Sequence, residues 1–289
     1  MSTRTDSELL AAETPITVIE PSGGWLALQL NRIWQYRELL YFLVWRDIKV
    51  RYKQTLLGVL WIVLQPLISM AVFTVLFGYL MQVPSGDVPY PVFVYAGLLP
   101  WNYFASALTR ASTGLVNNAH LITKVYFPRL IIPLASVTSS LLDFAISLGV
   151  YMVLMVAFGV SPAPTSVYLP GFLLLAVVTA LGFGLWLGAF NVRYRDVNYV
   201  VPYLIQLWLY LTPVIYPVTF IPEQFRWILA LNPMTGVVEG FRWAVLGPQL
   251  SDAQPPSELF LVSLIIAVLV LVSGAIYFRR TERTFADII

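Results

Sequence analysis

Tyr199, Tyr203, Gln206 and Tyr210 recur at spacings of four, three and four, the rhythm of one helical face. A tyrosine offers a flat apolar ring and a hydroxyl, so a row of them can hold the CH face of a sugar while hydrogen-bonding its hydroxyl groups. Gln65 and Ser69, four apart in another apolar block, can face the same path. The plainer use of such residues is hydrogen bonding between helices and an aromatic belt at each membrane surface. A second signal is Asp143, 14 residues beyond Arg129, which is roughly 21 Å along a helix. A charge at that depth in a bilayer costs about 2.5–3.5 kcal/mol or more unless it meets water, a partner or a proton. Asp143 either lines a pathway or serves as a protonated, structural hydrogen-bond donor. Arg110 lies near the cytosolic end of its own span, and depth favours a snorkelling arginine there over an Arg110 to Asp143 pair.

Other chemistries are missing. The three lysines, Lys49, Lys53 and Lys124, follow Ile48, Tyr52 and Thr123, so no Gly-Lys pair exists to build a P-loop for nucleotide phosphates. Cysteine is absent, which removes disulfides, thiolate metal sites and a cysteine nucleophile. A single histidine, His120, excludes imidazole metal clusters. With Asp143 as the clear intramembrane acid, there is no rank of carboxylates for a proton or sodium relay. Uphill transport by this chain therefore requires ATP hydrolysis on another one.

These residues must be positioned by helices in lipid. Of 289 residues 58% are hydrophobic and 11% charged, against about a quarter charged in soluble domains. Charge is absent from 54–86, 88–109, 144–192, 197–222 and 259–278, and a span needs about 20 such residues. The 144–192 block, extended back to Leu130, holds two spans around the turn Ser161, Pro162, Ala163 and Pro164. The reading is an all-α integral membrane protein with six transmembrane helices near 56–80, 91–114, 130–158, 168–190, 198–218 and 259–278. The net charge of +2 is uninformative as a total, but basic residues mark cytoplasmic loops. Arg32 to Lys53, Lys124 with Arg129, Arg193 with Arg195, and Arg279 with Arg280 and Arg283 alternate with loops at 81–90 and 159–167 that lack lysine and arginine. Both termini are then cytoplasmic, and 219–258 lies outside. Residues 1–31, acidic and proline-containing without an apolar core, are expected to be a cytosolic tail rather than a signal peptide.

Three segments are neither spans nor simple loops. Within 32–53, Trp34, Tyr41, Trp45, Ile48 and Tyr52 share one helical face, with Arg46, Lys49 and Lys53 opposite. This is an amphipathic helix for the membrane surface, its cations directed to lipid phosphates and cytosol, or a plain topology anchor. Between the second and third spans, Asn117 and Asn118 can cap a short helix that Phe127 and Pro128 end. The 118–126 segment, with Asn118, His120, Leu121, Lys124 and Tyr126, is a candidate docking knob. At 219–247, Pro222 and the Asn232-Pro233 pair start two short helices. In the second, Met234, Val237, Val238, Phe241 and Val245 repeat at helical spacing, and Glu239 and Arg242 can pair. Both pieces are too short to cross and are expected to re-enter or lie on the outer face.

Several of these stretches resemble the membrane subunits of type-2 ABC exporters for polysaccharides, including O-antigen, capsule and teichoic acid. They are Arg51, Tyr52, Lys53 and Gln54 running into Leu56, Leu57 and Gly58; Gln65-Pro66; Gly97, Leu98, Leu99, Pro100 and Trp101; 118–133; Arg195, Asp196 and Val197; Asn232, Pro233 and Met234; and Glu282, Arg283, Thr284, Phe285, Ala286 and Asp287. Each is weak alone, and their order and spacing together are more specific. The likeness covers about 32–289, which would be one transmembrane domain, and excludes 1–31.

It implies a homodimer in the bacterial inner membrane with two cytosolic ABC ATPase subunits that carry ATP and magnesium, no cofactor on this chain, and no nucleic acid partner. It makes 32–53 an interfacial helix, 118–126 a coupling helix and 222–247 two outer re-entrant helices. The substrate implied is a glycan on a polyprenyl diphosphate, moving between the two copies. Two other readings compete. An exporter of small hydrophobic drugs or antibiotics on the same fold would want a more aliphatic, methionine-rich stripe. A membrane-bound transferase acting on a lipid-linked substrate would want paired carboxylates, a histidine base or a metal site.

Overall fold

The computed structural model describes residues 30–53, 58–250 and 258–285. The expected tail at 1–31 lies almost wholly outside the described residues, as do Gln54, Leu56, Leu57, Ala286 and Asp287 of the family-like stretches. Among the described residues the chain is all helix and turn. A short turn of helix, α1 (Leu30–Gln35), leads into α2 (Arg37–Lys53). Then come α3 (Gly58–Phe73), widening into a π-helix at Thr74–Leu80, α4 (Tyr90–Asn117) and α5 (Ala119–Lys124). They are followed by α6 (Ile131–Ala157), α7 (Leu169–Arg193) and α8 (Val197–Leu211). The last are α9 (Glu223–Ala230), α10 (Pro233–Leu246) and α11 (Glu258–Thr281).

Helices form at all six positions read as spans. Among the described residues four stretches are long and apolar enough to cross a membrane: Leu60–Leu80, Ile131–Ala157, Pro164–Arg193 and Phe260–Thr284. The other two differ for physical reasons. At 28 residues α4 is long enough, but it is less apolar because protein rather than lipid covers it: Val92 through Trp101 are all buried. By contrast α8 has 15 residues, short of a full crossing, and stops at Leu211 rather than continuing to 218. Pro213 pushes Thr212 out of helical geometry, and Thr212 is extended at φ −101°, ψ 138°.

The central element is α4, packed by α6, α7 and α10 on its sides, with α3 and α8 each leaning on it. Trp208 of α8 meets Phe104 of α4 and Phe183 of α7 edge to face, with ring centroids 5.1 and 4.8 Å apart. That contact fixes which way α8 faces.

Glycine brings α7 and α11 together backbone to backbone. A Cβ on Gly182 of α7 would stand 2.8 Å from the Leu271 nitrogen of α11, and one on Gly274 would stand 2.5 Å from the Gly182 carbonyl. The two backbones touch, as small residues allow in membranes. Gly182→Val is expected to force the helices apart and abolish the monodisperse elution of the detergent-extracted chain. Normal elution and thermal midpoint would disprove the close packing.

Candidate conduit surface and its anchors

With Trp208 turned into the bundle, the opposite face of α8 points outward. Tyr199, Tyr203, Gln206 and Tyr210 are all exposed, as the spacing predicts for one face. Within a single chain, then, the row lies on an open side of the bundle rather than in an enclosed pocket. Gln65, also exposed, sits elsewhere, on the wall of a cavity of about 730 Å³ between α3, α4 and α6. Ser69 is half-buried and is not among the cavity's lining residues. The expectation that Gln65 and Ser69 share a path with the tyrosines is thus not met inside one chain.

That cavity contains Asp143, and here the reading from depth is corrected. Arg110 does pair with Asp143, Nη2 to Oδ2 at 2.9 Å, and Arg51 joins from α2 at 2.5 Å. The Tyr52 hydroxyl donates to Oδ1 at 2.6 Å. A ladder of helical rises underestimated the reach of an arginine side chain and took no account of α2, which packs along α6 and brings Arg51 up beside Asp143. Arg51, Arg110 and Tyr52 all donate to Asp143, which acts as their shared acceptor. Burial, and then the hydrogen bond to Asp143, hold the Tyr52 phenol well above its ordinary value, so it remains a donor.

The aromatic face expected over 32–53 is divided between α1, which holds Trp34, and α2, and is accordingly split. Trp34, Tyr41 and Trp45 are exposed, while Tyr52 turns inward. Lys49 and Lys53 are exposed as expected, but Arg46 pairs with its neighbour Asp47 at 2.7 Å. The side of α2 that meets protein is aliphatic, with Leu43 buried and Leu39, Leu40 and Val44 packed around it.

In α10, Asn232 caps the helix, its side chain accepting from the Met234 N–H with Pro233 in the first turn, as the sequence predicts. The helix is not a surface element. Most of its residues are buried among α4, α7 and α11, which rules out a passive interfacial helix. Arg242 pairs with Glu239 at 3.0 Å, also as predicted. Its larger task was not predicted. Its guanidinium donates to the carbonyls of Pro213, Val214 and Tyr216, just past the end of α8, and lies 3.9 Å over the Phe93 ring. Those carbonyls follow a helix terminus that leaves its own last groups unsatisfied. Gly97 makes room for the clamp, since a Cβ there would stand 2.7 Å from Nη2 of Arg242.

The docking segment forms a shorter helix than read. It ends at Lys124, with Val125 already extended, rather than at Phe127-Pro128. Asn118 does not cap it by its side chain; Nδ2 turns back to the Gly114 carbonyl and closes α4. With Asn118 alone between two helices, the unsatisfied carbonyls of α4 compete for it. His120, Lys124 and Tyr126 are exposed, Leu121 is half-buried, and Ile122 is the buried anchor.

A helical bundle with several membrane-length apolar helices is a multi-pass membrane protein. The profile of the ABC-2 type transporter membrane family matches residues 38–246, and the chain belongs to that family. Membership implies association with an ABC ATPase. The chain is 34% identical to the O-antigen export system permease protein RfbA of Myxococcus xanthus over 89% of this chain and 98% of that protein. It is 31% identical to an RfbA of Klebsiella pneumoniae over 87% and 95%. It is 28% identical to the polysialic acid transport protein KpsM of Escherichia coli over 82% and 91%.

Proposed function

We propose that this chain is the membrane-spanning subunit of an ATP-driven exporter that moves a lipid-linked polysaccharide across the bacterial inner membrane. Near-complete coverage of an O-antigen export permease at 34% identity carries the reading. In this assembly two copies stand together over two cytosolic ABC ATPase subunits, which bind ATP and magnesium; this chain contributes transport rather than catalysis and holds no cofactor. Its 32–289 region crosses the membrane six times, using α3, α4, α6, α7, α11 and α8 extended by the non-helical stretch to about 218, with both termini in the cytosol. Here α2 lies at the inner surface, α5 docks the ATPase, and α9 and α10 re-enter from the outside.

The exposed row on α8 supports a conduit that is completed by a second copy. Hydroxyl-bearing rings on an apolar helix suit a glycan better than a small hydrophobic drug, for which an aliphatic surface would serve. The test is deletion in the host followed by complementation. Loss of this chain should remove a surface polysaccharide and leave the glycan inside the cell, and an unchanged surface refutes the reading. Complementation with Tyr203→Leu plus Tyr210→Leu should cut surface glycan several-fold at unchanged protein level, because both rings are exposed and their loss leaves the core intact. Full export by that variant would remove the stripe from the pathway.

A further inference from the structure

The tyrosine row can serve a pathway only if α8 faces the right way, and Trp208 fixes that orientation in the C-terminal half of the helix. The first turn is held by a different chemistry. Asn191, in the last turn of α7, is fully buried. Its Nδ2 donates to the Ser112 carbonyl of α4 at 2.8 Å and to Oδ1 of Asn198, in the first turn of α8, at 2.8 Å. A side-chain amide carries two N–H donors, so this one group joins three helices.

Small residues bring it within reach. Gly184, Gly188 and Asn191 stand four and then three residues apart, on one face of α7. A Cβ on Gly184 would lie 2.6 Å from the Ala111 Cβ, and one on Gly188 would lie 2.9 Å from the Ala111 carbonyl oxygen. The helix α7 therefore rests against the backbone of α4, where a short amide can meet the Ser112 carbonyl.

The arrangement carries a cost. Oδ1 of Asn191 is buried with no hydrogen-bond partner in the protein, and a buried acceptor without a donor is destabilising. Turning the amide over offers no cure, because Oδ1 would then face the Ser112 carbonyl. A leucine of similar size would escape the cost, so packing alone does not call for asparagine. A local sacrifice of stability marks a residue held for function. Asn198 directly precedes Tyr199, and the bond to it fixes the turn from which the tyrosine row begins.

We infer that Asn191 is a positioning residue for the conduit: its amide sets the rotation of the first half of α8, so that Tyr199 and Tyr203 face outward in step with Tyr210. The inference rests on the export reading for what the row does, and on geometry alone for how the row is aimed.

The chain has no cysteine, so pairs of nitroxide labels can be placed cleanly on introduced ones. Pulsed electron paramagnetic resonance then measures their separation in the full chain, diluted into unlabelled chain in detergent. Val153, exposed on α6, is the reference position, paired with either Tyr199→Cys or Tyr210→Cys. Asn191→Leu and Asn198→Leu should each shift the Val153 to Tyr199 separation by about 5 Å, the radius of a helix with its side chains. The Val153 to Tyr210 separation should stay as it is. Asn198→Asp keeps an acceptor for Nδ2 and should retain both native separations. In the host, both leucine variants should cut surface glycan several-fold at unchanged protein level, and Asn198→Asp should export normally.

Native separations in both leucine variants overturn the inference. So does equal broadening of both separations, which would make Asn191 a general packing residue. Should Asn191→Leu fail to elute as a folded species, Asn198→Leu decides alone, since Asn198 is only half-buried. A displaced row that exports fully, in cells where Tyr203→Leu plus Tyr210→Leu does not, also overturns it. If the row is displaced as expected but the tyrosine double variant exports normally, the aiming of α8 stands and the role of the row in export falls.

Discussion

Arg242→Met is expected to lower the stability of the chain by about 3–5 kcal/mol, the range for removing one partner of a buried ion pair. The methionine fills similar space, so the loss comes from polar groups rather than from a void. Three carbonyls, of Pro213, Val214 and Tyr216, lose their donor beyond the end of α8, and Glu239 loses its cation. The stretch that joins α8 to α9 should then open. Thermal unfolding in detergent should show a midpoint lower by about 10 °C, and limited proteolysis should cut within 212–222. Arg242→Lys keeps the charge but spreads fewer donors, and is expected to fall between the two. Gly97→Leu should reproduce the defect from the other side, because its side chain would occupy the space of the guanidinium. A normal midpoint for Arg242→Met would disprove the clamp.

The second large effect concerns α5. Lys124→Asp combined with Tyr126→Ala should reduce export at least tenfold while the membrane domain keeps its thermal midpoint, because both side chains are exposed and carry little of the fold. Residual ATP hydrolysis by the assembled complex should persist without glycan movement. Ile122→Ala is the contrast: buried among Leu115, Phe127 and Leu130, it should cost about 2–5 kcal/mol of stability. Leu121, half-buried in the same cluster, would mix the two outcomes and makes a poor probe of docking. Unaltered export from the Lys124 and Tyr126 double variant would remove α5 from the ATPase interface.

Much of this architecture was legible because lipid imposes strong rules on a chain. Uncharged blocks marked the helices, and the tyrosine rhythm put its four members on one face of α8, which in the single chain is an open face rather than a stripe on a buried helix. The Asn232 cap and the Glu239 to Arg242 pair followed from local spacing. Long-range geometry was harder to read. Asp143 announced a need for compensation, and the nearest cations were Arg110 and Arg51, but choosing between snorkelling and pairing depended on the tilt of α4 and the path of α2. Neither leaves a periodic trace. Arg242 looked like one half of an i, i+3 pair, and only the fold brings the carbonyls after Pro213 beneath it. The signal that was available lay in two oddities taken together: a proline-stopped helix whose end needed donors, and an arginine in a helix that is apolar apart from Thr235 and Glu239.

The helices do not share burial evenly. Only 6% of the residues in the most apolar stretch of Leu60–Leu80 are buried, against 56% for Pro164–Arg193. The latter is riveted into the frame through Gly182 and Phe183, while the former rests against the frame along one edge and relaxes into a wider turn at Thr74–Leu80. Displacing α7 would tear open the core, but swinging α3 would uncover little. The molecule is thus a tightly packed post with one lightly attached helix, and the cavity holding Asp143 lies between them.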